Sequence, residues 1–272
     1  MDELGAIKLL SRKLDIGDDC AVLDIGGRKV LVTTDMLHKK TDFPKWLTPE
    51  MIGWRSALVS LSDIAAMGGK PIALVIALGM KKFDAKFLSG FSRGVEKCCS
   101  FCRCKYAGGD LDKHDELTVV GTAIGVAENP VGRAGARVGD IVCVTGTLGK
   151  ACYYFKKRKW LRQKPRINEG QKISKHASAM MDISDGLARS LHQMGARSRA
   201  GFRITFEKIP LFGGEEGMFF GDDYELLFTV PKSKLRKIKG VGFSVIGEVV
   251  KSGVWLEKNG YPGKLENKGW TH

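Results

Sequence analysis

Blocks of apolar and polar positions along the chain predict its elements. Lys29 to Thr34 (KVLVTT) reads as a strand ending on Asp35. A helix is expected from Thr48, with Thr48 as N-cap, Pro49 at the first helical position and Glu50 at the positive end of the dipole. It should stop at Gly68-Gly69, with Pro71 beyond. Ile72 to Met80 reads as a buried strand, Ala85 to Cys99 as a second helix, and Arg103 to Ala107 as a strand running into Gly108-Gly109-Asp110. Leu117 to Val126 follows as another strand.

The pattern breaks at Ala127 to Asp140 (AENPVGRAGARVGD), a turn-rich stretch that marks a domain boundary. Beyond it, strands are expected at Ile141 to Thr145, Phe202 to Phe206, Tyr224 to Val230 and Ser244 to Val250. Ser178 to Ile183 should lead into a helix starting at Ser184, and Asn259-Gly260 should turn the chain after a further short strand. Strands and helices mix in both halves, so the expected architecture is α/β (α+β) with two domains, 1–130 and 131–272.

Composition narrows the function classes. The chain has 272 residues, of which 43% are hydrophobic, enough for a substantial core. Its longest apolar stretch, Ile72 to Met80, is far short of a membrane span, and the N-terminus lacks a secretion-signal pattern. No membrane association and a cytoplasmic setting are therefore expected. The net charge of +14 biases the chain toward anionic ligands, but no nucleic-acid module signature is present. The one basic run, Lys156 to Arg166, reads as a solvated helix face, a phosphate-facing lid or a nucleic-acid patch. Cys98, Cys99, Cys102 and Cys104 include one C-x-x-C spacing; with no second pair at finger spacing, they read as small buried hydrophobes.

Candidate chemistry lies in the aspartates. They recur at turns beside Gly, Ser or Thr: Asp18-Asp19, Asp35, Asp63, Asp110, Asp182, Asp185 and Asp222-Asp223. Several stand at the end of a predicted strand, where α/β folds place ligands. Any single pair is ordinary turn chemistry. Turn chemistry does not require Asp63 inside a helix, however, where Ser56, Ser60 and Asp63 share a face. Converging carboxylates repel and raise each other's pKa, whereas Mg²⁺ takes hard oxygen ligands and bridges to phosphates. Phosphate-loop and dinucleotide fingerprints are absent, and the five histidines are scattered without metal spacing.

In their order these motifs resemble the thiamine-monophosphate kinase family. That family belongs to the group containing aminoimidazole-ribonucleotide synthetase, selenophosphate synthetase and the hydrogenase-maturation dehydratase. The likeness runs from LGAIKLL at Leu4 and GDDCAVL at Gly17 through TTDMLHKKTDFP at Thr33 and LTPEMIGWRSALVSLSDIAAMGGKP at Leu47. It continues with GGD at Gly108, GRAGARVGD at Gly132, VTGTLGKA at Val144, PRINEG at Pro165, MDISDGL at Met181, GDDYELLFTVP at Gly221 and GW at Gly269. The resemblance implies Mg²⁺-dependent, in-line transfer of a phosphoryl group from ATP to thiamine monophosphate in a homodimer paired through the N-terminal domains. It implies metal positions at Asp19, Thr34, Asp35, Asp63, Asp110, Asp182 and Asp185, with Asp63, Asp182 and Asp185 catalytic. It further implies Thr33, Thr34, Asp110, Arg133 and Ser184 near ATP, and Asp42, Asp222 and Trp270 near the thiamine phosphate. Asp42 stands where many members have His, Asp222 replaces the usual Glu, and Asp110 is followed by Leu111-Asp112 rather than hydroxyl residues. The alternative readings are another ATP-dependent synthetase of the same group and, more remotely, a basic nucleic-acid-binding protein.

Overall fold

The computed structural model describes residues 16–270 together with Gly5, Leu9 and Leu10. Most of the motif beginning at Leu4, and His272, lie outside the described residues.

The N-terminal half builds a five-stranded sheet in the order β1-β2-β5-β3-β4. Its elements are β1 (Ala21–Ile25), β2 (Arg28–His38), α1 (Lys39–Asp42), α2 (Pro49–Ala66), β3 (Lys70–Met80), α3 (Ala85–Cys102), β4 (Lys105–Lys113) and β5 (Thr118–Ala127). Strands β3 and β4 are parallel and joined by α3; the other pairs are antiparallel. Period-2 alternation puts Leu31, Thr33 and Leu37 of β2 on the covered face, while Met36 on the other face is 55% exposed. Helices α2 and α3 pack on that covered face through Ile52, Leu58, Leu61, Phe91 and Val95. The helices cross very closely. A Cβ on Gly53 would lie 2.0 Å from the Phe91 carbonyl oxygen, and one on Gly94 would lie 2.1 Å from that of Glu50.

The expected signals bound α2. The Thr48 Oγ1 accepts the Met51 N–H at 3.3 Å, and Gly68, at φ +71°, turns the chain out beyond Ala66. Strand β1 was not expected; all of its residues are exposed, so it carries no buried-face alternation.

The C-terminal half builds a seven-stranded sheet. Its elements are β6 (Ile141–Thr145), α4 (Lys150–Lys156), α5 (Ile167–Ile173), β7 (Ala179–Asp182), α6 (Leu187–Ser198), β8 (Gly201–Thr205), α7 (Gly217–Phe220), β9 (Leu226–Val230), β10 (Phe243–Val250), β11 (Val254–Lys258) and β12 (Tyr261–Lys264). The order is β12-β11-β8-β10-β6-β9-β7, with only β11 and β8 parallel among these pairs. One face of this sheet packs with α6 through Leu187, Leu191 and Met194. The other face packs with α5 and reaches Ala66 of α2. A Cβ on Gly170 of α5 would lie 2.1 Å from the Ala65 carbonyl oxygen, so α2 is gripped by both halves.

Three expectations are corrected here. The helix after β7 begins at Leu187, not Ser184. The backbone before it is already engaged: Ser184 accepts the Asp222 N–H, Ile183 the Tyr224 N–H and Asp185 the Trp270 N–H. Gly186, at φ +99°, then redirects the chain into α6. Strand β9 begins at Leu226 rather than Tyr224, because Asp222 and Tyr224 both adopt positive φ (63° and 52°). The basic run is also not a helix face, since α4 ends at Lys156 and the chain from 157 to 166 is a connecting loop.

Candidate active site

The carboxylates converge where α2 passes the middle of β2 and the end of β7. Asp63 projects from α2 and accepts a hydrogen bond from Thr33 Oγ1 at 2.5 Å. Asp35 on β2 accepts from Ser60 Oγ at 2.7 Å, and Asp182, ending β7, accepts from Ser62 Oγ at 2.6 Å. Asp19, in the loop before β1, is bound by Arg133 Nη2 at 2.5 Å, while Asp18 accepts the Arg133 backbone N–H. One oxygen each from Asp19, Asp63 and Asp182 lies within 4.8 Å of the other two.

The electrostatics of this cluster are those of a cation site. Burial, then the charges of Asp35, Asp182 and Asp19, push Asp63 well above the carboxylate range. Burial and Asp19 push Asp182 up to about 7, and burial raises Asp35. Arg133 stays firmly protonated: its burial opposes the charge, but Asp19, Asp182 and Asp63 outweigh it. Asp19 Oδ2 is buried with no hydrogen-bond partner. A hard divalent ion fits this donor set, since it would take that orphaned oxygen and neutralise the like charges.

Beside the cluster opens a cavity of about 270 Å³ between the two halves. Asp35, Asp63, Asp182, Ser184 and Asp185 line one part of it, and Asp42, Asp222 and Trp270 line it too. Asp42 is buried and accepts the His38 N–H at 2.8 Å and Thr41 Oγ1 at 2.6 Å. Asp222 is held by the Arg55 guanidinium and by Tyr224 Oη at 3.0 Å. Gly269 packs against Asp185 and Arg189 so tightly that an added Cβ would lie 2.4 Å from the Asp185 carbonyl oxygen, which seats Trp270 at the cavity.

Not every expected residue joins this constellation. Arg133, Asp19 and Thr33 do not line the cavity, although Asp19 belongs to the carboxylate cluster, Arg133 binds Asp19 and Thr33 donates to Asp63. The Thr34 hydroxyl points to the opposite sheet face, against Gly121 O and Thr122 Oγ1. Asp110 lies exposed on β4, three strands from β2 and therefore about 14 Å across the sheet. Sequence reasoning missed Arg55, Ser62, Tyr224 and the lining rings of Trp46, Trp54 and Trp160. A signal for Arg55 was present: Arg55, Val59 and Asp63 follow one another at i, i+4 on a helix, and all three line the cavity. Of the Cys group, Cys98, Cys99 and Cys102 are buried in the N-terminal core, and the only metal-competent set of three among the described residues is the aspartate one.

The family models "AIR synthase related protein, N-terminal domain" and "AIR synthase related protein, C-terminal domain" match residues 17–127 and 154–255, which defines the class of the fold. Thiamine-monophosphate kinase of Methanospirillum hungatei is 40% identical over 94% of this chain and 92% of its own length. That of Halobacterium salinarum is 37% identical over the whole of both. The solved structure of AaThiL complexed with AMPPCP and TMP superposes with a TM-score of 0.89 at 33% identity, covering 100% of this chain and 97% of that one. The chain belongs to the thiamine-monophosphate kinase family.

Proposed function

We propose that this chain transfers the γ-phosphoryl group of ATP directly to the phosphate of thiamine monophosphate, giving thiamine diphosphate and ADP, with Mg²⁺ held by the aspartate cluster. The observation that carries the reading is the shared wall: Asp35, Asp63, Asp182 and Asp185 line the same cavity as Asp42, Asp222 and Trp270. A structural relative carrying AMPPCP and TMP supports the pair of substrates.

The chemistry needs positioning and charge neutralisation rather than a base. The acceptor phosphate is ionised near neutral pH, and phosphoryl transfer is governed by in-line geometry and electrostatics. Asp19, Asp35, Asp63, Asp182 and Asp185 would hold the ions. When bound, they would neutralise the two polyanions that must meet. Thr33, Ser60 and Ser62 each donate to one carboxylate, which fixes the oxygen left facing the site. Trp270 offers an aromatic face to the cationic thiazolium, worth on the order of 0.5–2 kcal/mol. Asp42 and Asp222 supply carboxylates at the same cavity. No phosphoenzyme is formed, so label from γ-phosphate appears on the acceptor and never on the protein.

The working unit is a homodimer in the cytoplasm. The sheet face opposite α2 and α3 carries Met36, 55% exposed, and Ile124, 37% exposed, and a second copy covers it. Thr34 and Asp110 lie toward this face, so ATP reaches them at the pairing. Seven free cysteines suit a reducing compartment. Among the described residues no helix is long and apolar enough to cross a membrane. A coupled ADP-release assay over a panel of phosphorylated acceptors tests the reading. Turnover with thiamine monophosphate alone is the expected result; preference for an aminoimidazole precursor or for selenide contradicts it.

A further inference from the structure

The loop between α4 and α5 carries the basic run, and its role follows from where it is tied. It belongs to the C-terminal half but crosses to α2 and α3 of the N-terminal half. The Trp54 indole N–H donates to the Gln163 carbonyl oxygen at 2.9 Å. The Gln163 side-chain amide donates to the Asp222 carbonyl oxygen at 2.8 Å, beside the cavity. Between these ties, the Arg162 guanidinium lies over two rings, 4.4 Å from the Trp54 centroid and 5.0 Å from the Trp160 centroid. Its Nη2 is also 3.7 Å from Glu50 on α2.

Trp54 is the fixed member of this stack, 3% exposed in the N-terminal core. Arg162 therefore transmits the position of α2 to Trp160. Trp160 is only partly buried and lines the cavity together with Asp42, Asp222 and Trp270. Of the candidate ATP residues, Arg133 and Thr33 do not line it, while Ser184 lies on the same wall as the aspartates.

We propose that Trp160 is an acceptor-binding residue, giving the flat heteroaromatic part of the acceptor an indole surface, and that Arg162 is the positioning residue that holds this indole in place. The inference rests on the functional reading above and adds the residues that select the acceptor. An indole contact with a cationic heteroaromatic ring is a ground-state and transition-state interaction alike, so its loss raises KM and leaves kcat nearly unchanged.

Steady-state kinetics on the full chain, varying thiamine monophosphate and ATP separately, test the proposal. Trp160→Ala should raise KM for thiamine monophosphate about tenfold, with KM for ATP and kcat within about twofold of wild type. Arg162→Ala should raise the same KM about three- to tenfold, and Arg162→Lys, which keeps the cation, should recover most of the loss. Trp160→Leu keeps apolar bulk without the π surface and carries the same expectation if the alanine variant fails to fold. A loop that matters only for stability would instead lower the melting temperature and disturb both substrates together. Unchanged KM for thiamine monophosphate in Trp160→Ala or Trp160→Leu, with an active wild type, overturns the inference alone. A wild type inactive on thiamine monophosphate overturns the functional reading, and the inference with it.

Discussion

Asp63 and Asp182 sit in a neighbourhood no isolated carboxylate would choose. Each is packed against other acids and given one hydroxyl donor, from Thr33 and Ser62 respectively. Replacing either by Asn keeps the shape and removes a charge. Asp63→Asn and Asp182→Asn should each lower kcat by at least about 100-fold while preserving the fold, and should raise the melting temperature in EDTA by relieving repulsion. Kinetics and thermal melts check the two halves of that statement. The pH dependence of stability follows from the same groups. Asp182 and Asp223 are pushed up to about 7, in both cases chiefly by burial. From near pH 4 the unfolded chain loses these protons while the folded chain keeps them, so stability falls as pH rises to about 7 and levels off above. Metal-free melting temperatures measured from pH 4.5 to 8 should decline through that window, and added Mg²⁺ should restore them at the alkaline end. At this scale the sequence was legible where an Asp stood at a strand end, as with Asp182; Asp35 instead lies inside β2, which continues to His38 rather than ending on Asp35. For Arg55 the sequence held only the helical spacing to Val59 and Asp63, a weak signal because an arginine in a helix is ordinarily a surface residue.

Helix α2 is the element on which the site depends. It carries Arg55 and Asp63 on one face, crosses α3 at Gly53 and Gly94, and meets α5 at Gly170. Gly53→Ala must push backbone apart, because its new Cβ would stand 2.0 Å from a carbonyl oxygen. It should destabilise the protein by about 2 kcal/mol or more in denaturant melts, whereas Gly27→Ala, which has open space but sits at φ +78°, should cost only about 1 kcal/mol. The bounds of α2 could be read because Thr48, Pro49 and Gly68 are local signals. The start of α6 could not. Ser184 and Asp185 look like a cap, yet their carbonyls are claimed by residues 222 and 270 and that of Ile183 by residue 224, distant contacts that local pattern does not encode. Strand β1 escaped for the opposite reason, having no buried face to pattern.

For the whole molecule, the division into two sheets followed from the turn-rich stretch between Ala127 and Asp140, and the motif order carried the family. Thr34 and Asp110, which also lie outside the cavity, are the residues that the proposed pairing between copies would bring to ATP. Ile124→Asp puts charge on the uncovered sheet face. It should convert a dimer to a monomer in sedimentation velocity and abolish turnover, with the far-ultraviolet dichroism unchanged. The central claim is that the aspartates form one hollow shared by divalent ions and the acceptor. Anomalous scattering from crystals grown with Mn²⁺, AMPPCP and thiamine monophosphate tests it most directly. The account predicts manganese peaks in contact with Asp19, Asp63 and Asp182; a map with ordered substrates and no peak at those three side chains contradicts it.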